Sequence, residues 1–352
     1  MKKTQNPTHY DLALIGNGIA AQSFLWNLTN SEVSRSQNFS IAHIYSEKMA
    51  PACSLRSSAT VSLNGIEEDV SPLGNDMREA FFMFDSLYKN HKPEGIAEVK
   101  RVVVATNEFD LKKITRRYRT LYPITNEKIL KVHPGVEYNS YMITPDVFLN
   151  WLKEKSKVPT TEYQTFVKNI ERFNDLYQLT FEDGSKVFAK KILFAMGAYS
   201  KLFEKMLAIE EELSHLEEKN TIKAGSYFER DVDLGETSFY LSIDNHNMLY
   251  RKNNSESKLI IGSATTMGAF EAADLGALAK IFNNMKATTK LDLGEMTDYK
   301  VVTGLRHKGP KRMLISEAID TNKTLFRING LYKNGYSLGF LASQKMVNLI
   351  FN

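Results

Sequence analysis

One cysteine, Cys53, in 352 residues excludes an internal disulfide, a thiolate metal cluster and a CxxC redox pair, and it fits a reducing cytoplasm. Long apolar runs are missing as well. No segment is long enough to span a bilayer, and MKKTQNPTHYDL at the start lacks the apolar core of a secretory signal. The expectation is a cytoplasmic chain with no membrane partner. Charge of one sign is also absent: 45 basic against 41 acidic residues leave +4, too little to indicate nucleic acid by itself. There are no internal repeats and no low-complexity segment. His43, His91, His133, His215, His246 and His307 show no metal-ligand spacing, and no serine sits in a nucleophile-elbow pattern. No metal is expected.

The most informative stretch is DLALIGNGIAAQSFLWNL at 11–28. An apolar run, Leu12 to Ile15, meets Gly16-Asn17-Gly18, with Ala21 where a third glycine often stands. Ala21, Phe24, Leu25 and Leu28 then fall on one face of a helix. A strand, a tight turn and a helix start follow one another. Glycines at the turn let the backbone bend sharply and let a pyrophosphate approach, and the helix N-terminus behind them favours an anion. The pattern reads as a dinucleotide site, although the same glycines also serve an unliganded strand–turn–helix. Phe39 to Tyr45 is a second strand. Tyr45, Ser46 or Glu47 occupies the ribose position, delayed by the polar insertion at 29–38.

Further along, 76–90 reads as an amphipathic helix and Val99 to Ala105 as a strand. A helix at 110–119 carries Lys112, Lys113, Arg116, Arg117 and Arg119. These cations form either a solvated face or a contact surface for an anionic partner such as RNA. Pro145 opens a helix with Thr144 as its N-cap. Tyr163–Ile170 and Tyr177–Phe181 are strands, and Glu182-Asp183-Gly184-Ser185 is a hairpin turn. Lys191–Ala195 is a buried strand, at least two more strands lie in 236–266, and a helix falls near 271–286. A last strand, Thr324–Ile328, leads to a final helix ending near Ile350. The mixture predicts a doubly wound α/β nucleotide domain with an antiparallel-rich second domain inserted into it.

Four separated segments resemble the flavin-dependent amine and amino-acid oxidases of the D-amino-acid oxidase superfamily. They are the turn at Gly16, Gly18 and Ala21; KKILFAMGAYSKLF at 190–203; NMLYRKNNSESKLIIGSATT at 247–266; and VTGLRHKGPKRMLI at 302–315 with LFRINGLYKNGYSLGFLASQKMVNLI at 325–350. Glycine oxidase is similar through Gly304-Leu305-Arg306 and Lys333-Asn334-Gly335. The oxidase domain of the bifunctional tRNA wobble-uridine modification enzyme is similar through IYSEKMAPACSLRSSATVSL at 44–63.

The resemblance implies a Rossmann-like FAD-binding domain (1–80, 145–215 and 300–352) with an antiparallel-sheet substrate domain (81–144 and 216–299). It implies non-covalent FAD and oxidation of a carboxylate-bearing primary or secondary amine. Carried over residue by residue, the cofactor site comprises Gly16, Gly18, Ala20, Ala21, Tyr45, Ser46, Glu47, Ser54, Arg56, Ser57, Ser58, Val167, Ala195, Gly197, Arg306, Asn334, Gly335, Tyr336, Ser337 and Leu338. Arg306 matches the family's carboxylate-binding arginine, and Tyr250 and Lys333 join it as candidates at the reacting end. The chain departs from the family at Asn247, which replaces a substrate-domain tyrosine, at Met196, and at His307, which replaces a proline. Two alternatives stay open: oxidation of carboxymethylaminomethyl-uridine in tRNA, and a flavin-binding scaffold or sensor with little turnover. The oligomeric state is not legible.

Overall fold

The computed structural model describes residues 8–33, 39–47, 53–63, 72–117, 122–124, 129–130, 133–200, 221–252, 257–267 and 273–351. In chain order the strands are β1 (Thr8–Ile15), β2 (Ile41–Tyr45), β3 (Thr60–Val61), β4 (Ile96–Val104), β5 (Tyr122–Ile124), β6 (His133–Ile143), β7 (Thr160–Gln164), β8 (Val167–Phe173), β9 (Leu176–Phe181), β10 (Lys186–Phe194), β11 (Thr221–Asp231), β12 (Phe239–Ile243), β13 (His246–Lys252), β14 (Ser257–Met267), β15 (Lys300–Lys308), β16 (Ile315–Ala318) and β17 (Leu325–Asn329). The helices are α1 (Ile19–Thr29), α2 (Pro72–His91), α3 (Glu108–Arg117), α4 (Pro145–Lys155), α5 (Leu275–Thr288) and α6 (Gly335–Phe351). None among the described residues is long and apolar enough to cross a membrane.

Leu12 to Ile15 are all buried because β1 is flanked on both sides, in parallel with β10 and β2, and covered on both faces. That position explains an unbroken apolar run in place of alternation. The sheet runs β16-β17-β10-β1-β2-β7, with the β8–β9 hairpin joined to β10. Val167, Ile170 and Leu179 of that hairpin pack on Ala13, Ile15 and Ile44. The opposite face is covered by α1 and α6, where Phe24, Leu28, Met346 and Ile350 meet Leu12 and Leu14. Ser343 Oγ donates to the Ala20 carbonyl at 3.1 Å, tying the two helices together. Thr144 does stand at the N-cap of α4, but its side chain makes no capping bond; Pro145 at the first turn and Asp146 shape that start.

The second sheet runs β15-β11-β14-β13-β12-β4-β6-β3, with β5 on β6. It is antiparallel throughout except where β12 lies parallel to β4. One face carries α5, whose Leu278, Ile281, Phe282 and Met285 pack on Met248, Tyr250, Leu259 and Ile261. The other face presents Tyr227, Tyr240, Leu249 and Ile260. β15, from the segment 300–352, is bonded in register to β11 and so completes this sheet; β3, from the segment 1–80, adds to its other edge. The segments 1–80 and 300–352 thus each contribute strands to both layers.

Candidate active site

The turn after β1 is held from three directions. Gly16 has φ +125°, and a Cβ there would overlap the Ala195 carbonyl. Its N–H donates to the Ile44 carbonyl at 2.9 Å. Its own carbonyl stands 2.8 Å from His43 Nε2. His43 is buried, and loss of solvation holds its imidazole below the ordinary histidine range, so the ring is neutral and Nε2–H is the donor.

Gly18 then caps α1 in an extended conformation without a side-chain cap, and the first turn holds no acid. Ser54 Oγ accepts the Ile19 N–H at 2.9 Å, and the Ser54 carbonyl accepts the Tyr336 hydroxyl at 2.8 Å. One residue therefore links the start of α1 to the start of α6. Gly339 lies where those helices meet, and a Cβ there would sit at an ordinary packing distance of 3.4 Å from Ile19 and Ser23.

Both helix starts open on a cavity of about 780 Å³ between the two sheets. Of the residues expected at a cofactor, Gly16, Gly18, Ala20, Tyr45, Ser46, Glu47, Ser54, Ser57, Ser58, Val167, Ala195, Gly197, Asn334, Gly335, Tyr336 and Ser337 line it. Arg306 and Lys333 line it too.

Four expected residues do not. Ala21 is packed among the core side chains beneath α1, and Leu338 among those between α2 and α6. Arg56 turns toward β15, where Nη1 donates to the Thr303 carbonyl at 3.2 Å. Tyr250 lies on the α5 side of the second sheet, fully buried, with its hydroxyl 2.9 Å from the Gly235 carbonyl and 3.1 Å from Asp233. Side chains alternate along β13, so Asn247 and Tyr250, three apart, face opposite ways. Tyr250 is a core residue and not a catalytic one.

Arg306 is only 8% exposed, and its guanidinium lies across Gly225 of the neighbouring strand, in the space a Cβ would fill. Buried Nη1 makes no hydrogen bond among the described residues. Cys53 is close by; burial pushes its thiol up while Arg306 pulls the other way. Lys333 keeps part of its side chain exposed, yet desolvation, then Arg306 and Arg312, bring its ammonium down to about 8. His307 has a holding role: Nδ1 accepts the Gly330 N–H at 3.2 Å, and its carbonyl accepts the Tyr332 N–H at 3.1 Å. Asn329 donates to the Gly197 carbonyl at 3.0 Å, fixing the turn after β10.

Sequence reasoning singled out Asn247 but missed Arg101, Tyr240 and His246, which the same second-sheet wall brings to the cavity. In VKRVVV, Arg101 reads only as one cation in a strand, because its partners come from distant segments. Of the cations on α3, Lys113 pairs with Asp110 at 2.9 Å and sits 3.9 Å from the Phe109 ring centroid. The side chains of Arg116 and Arg117, and all of Arg119, lie outside the described residues. No group of three or more His, Cys, Asp or Glu able to hold a metal occurs among the described residues.

No protein-family model matches the chain, and no curated protein matches it in sequence. Solved structures match over nearly its whole length. Glycine oxidase from Geobacillus kaustophilus superposes with a TM-score of 0.75 at 16% identity, covering 97% of this chain and 95% of that one. Glycine oxidase from Bacillus cereus ATCC 14579 gives 0.74 at 17% identity, covering 97% of each chain. L-α-glycerophosphate oxidase from Mycoplasma pneumoniae, dithionite-reduced with FAD bound, gives 0.72 at 14% identity, covering 97% of this chain and 94% of that one. The chain has the fold of these oxidases: a doubly wound layer and an antiparallel layer with the cavity between them.

Proposed function

We propose that the cavity holds non-covalent FAD and that the protein is an oxidoreductase acting on a carboxylate-bearing amine. One observation carries this reading: a single cavity combines two helix N-termini with a buried arginine that no carboxylate neutralises among the described residues. The donor set suits the cofactor. The start of α1, from Gly16 to Ala20, offers backbone N–H groups and a positive dipole end to a pyrophosphate. Tyr45, Ser46 and Glu47 flank the ribose position, and Val167 stands where the resemblance puts adenine. Asn334 to Ser337, at the start of α6, form the second cradle, which suits the electron-rich edge of a ring system. A flavin bound there would supply the two-electron oxidation, with the hydride coming from the substrate's C–H bond.

The chain's own residues then bind and orient. Arg306 offers a planar fork to the substrate carboxylate, worth about 1.5–3 kcal/mol for a charge-assisted bond. Its seat against Gly225 fixes the fork's plane, so the C–H bond is presented in one orientation. Lys333 adds positive charge beside it. No acid lines this end of the cavity; Glu47, the one acidic lining residue among those described, belongs to the ribose end. An amine that enters neutral needs no protein base.

The purified protein should be yellow, or become so on adding FAD, and anaerobic mixing with glycine, sarcosine, iminodiacetate and other carboxylated amines should bleach it. A colourless protein that takes up no FAD overturns the reading. Bound FAD that no amine bleaches leaves the scaffold alternative in its place.

A further inference from the structure

Arg101 is a second buried guanidinium on the same cavity, 8% exposed and on the wall opposite the cofactor cradle. Its register explains its posture. It lies directly across from Tyr240 on β12 and Tyr138 on β6, and stacks on both rings at 4.5 and 5.7 Å. Among the described residues its hydrogen bonds go only to neutral oxygens: Ser62 and Ser242 at 3.1 Å, Asn247 at 3.4 Å. Nε is buried without a partner, and no carboxylate pairs with the group among the described residues. Stacking, two hydroxyls and an amide orient a buried cation but do not neutralise it. A buried charge left in that state is costly, and an incoming anion relieves the cost.

The two arginines face a common space. Arg306 reaches over Gly225 on β11; Arg101 reaches to Asn247 on β13; β14 alone lies between those strands. Two strand spacings and an offset of about two residues along the strands place the two guanidinium groups on the order of 10–12 Å apart. A bidentate pair sets a guanidinium carbon about 4 Å from the carboxyl carbon it grips. Two forks pointing straight at each other would leave about 2–4 Å between the gripped carboxyl carbons, and forks angled into the cavity leave more, a span that a chain with two or three atoms between its carboxylates bridges.

Resting on the amine-oxidising function above, we propose that Arg101 binds a second carboxylate of the substrate. The substrate is then an amine with two carboxylates separated by two or three atoms, one held by Arg306 and the other by Arg101. An acidic amino acid and an N-carboxymethyl glycine both meet that description. Arg101 is a specificity-determining residue, and glycine or sarcosine would leave it unneutralised.

The test is ligand binding, which needs no turnover. The FAD-loaded protein is titrated with acetate, succinate and glutarate, reading the flavin spectrum and the melting temperature. The dicarboxylates should bind about 30-fold more tightly than acetate or better, as expected when a buried charge gains its partner. Arg101→Gln should bring them to the level of acetate. Asn247→Asp, which nearly preserves shape and places a carboxylate beside Arg101, should do the same and serves if Arg101→Gln fails to fold. The ratio of kcat/KM for iminodiacetate over sarcosine should fall in parallel. Equal binding of acetate and succinate, or a dicarboxylate preference that survives both substitutions, overturns the proposal. If FAD is not taken up, the oxidase function fails separately, and the same melting titration on the unloaded protein decides the role of Arg101.

Discussion

The guanidinium of Arg306 occupies the space in which residue 225 would carry a Cβ, and only glycine leaves it free. Gly225→Ala should therefore push the Arg306 fork aside without disturbing the strands, since the displaced atoms are the far end of a flexible side chain. A misplacement of about 1 Å costs on the order of 100-fold in rate. The expected result is a loss of that size in kcat/KM for the carboxylated amine, with FAD content and melting temperature close to the parent. Steady-state kinetics on the FAD-loaded variant check it. Gly262→Ala is the contrasting case: its Cβ would meet Tyr227 at 2.7 Å, close to the backbone, so it should lose stability first.

At Gly16 the same substitution acts on the backbone. A φ of +125° disfavours any L side chain, and the added Cβ collides with the Ala195 carbonyl. Gly16→Ala should cost about 1–3 kcal/mol of stability and abolish FAD retention, because relaxing the turn moves the start of α1. Denaturant unfolding and the flavin absorbance of the purified variant measure the two effects separately. Full FAD occupancy in this variant would take Gly16 out of the cofactor site.

These two glycines show what was legible in the chain and what was not. The turn at Gly16 is a local signal: an apolar run, a glycine pair and a helix period lie within 18 residues, and each is set by its neighbours. The site beyond it is non-local. Arg101 draws on Ser62, Ser242 and Asn247, up to 146 positions away, so nothing beside it in the sequence marks it. Tyr250 fails for a different reason. Proximity to Asn247 along β13 says nothing about facing; α5 covers the side on which Tyr250 points, and only the sheet's covering decides which side becomes core. Gly225 gave no local sign either, because its role is defined by Arg306 crossing from the next strand.

Lys333 gives the site a pH dependence that can be read with a ligand that does not titrate. With its ammonium at about 8, it is cationic below that pH and attracts a carboxylate; as pH rises through 8 the attraction is lost. Acetate, fully ionised from pH 7 to 9.5, should bind the FAD-loaded protein progressively more weakly across that range. Lys333→Gln should flatten the curve at its high-pH level. A curve of unchanged shape in the variant would show that Lys333 does not face the bound anion. The effect on stability has the opposite slope. The folded protein holds this proton less tightly than the unfolded chain, so its contribution to stability rises as pH increases from about 8 toward the unfolded lysine value of about 10.4.

His43 sets a limit on the acid side. Burial lowers its pKa, and its neutral Nε2–H holds the Gly16 carbonyl. The unfolded chain takes up this proton near pH 6.5, while the folded protein resists it. Stability contributed by the neutral ring is thus complete above about 6.5 and falls as pH drops through and below that value. FAD should be released only at the lower pH at which the folded protein itself takes up this proton, since protonation strains the turn beneath α1. His43→Gln keeps a donor without a titrating ring and should remove this step from the curve of melting temperature against pH. It should keep FAD bound to a lower pH than the parent does. Identical FAD-release curves on acidification for parent and variant, with no inflection that depends on His43, would show that the Gly16 turn is held without this imidazole.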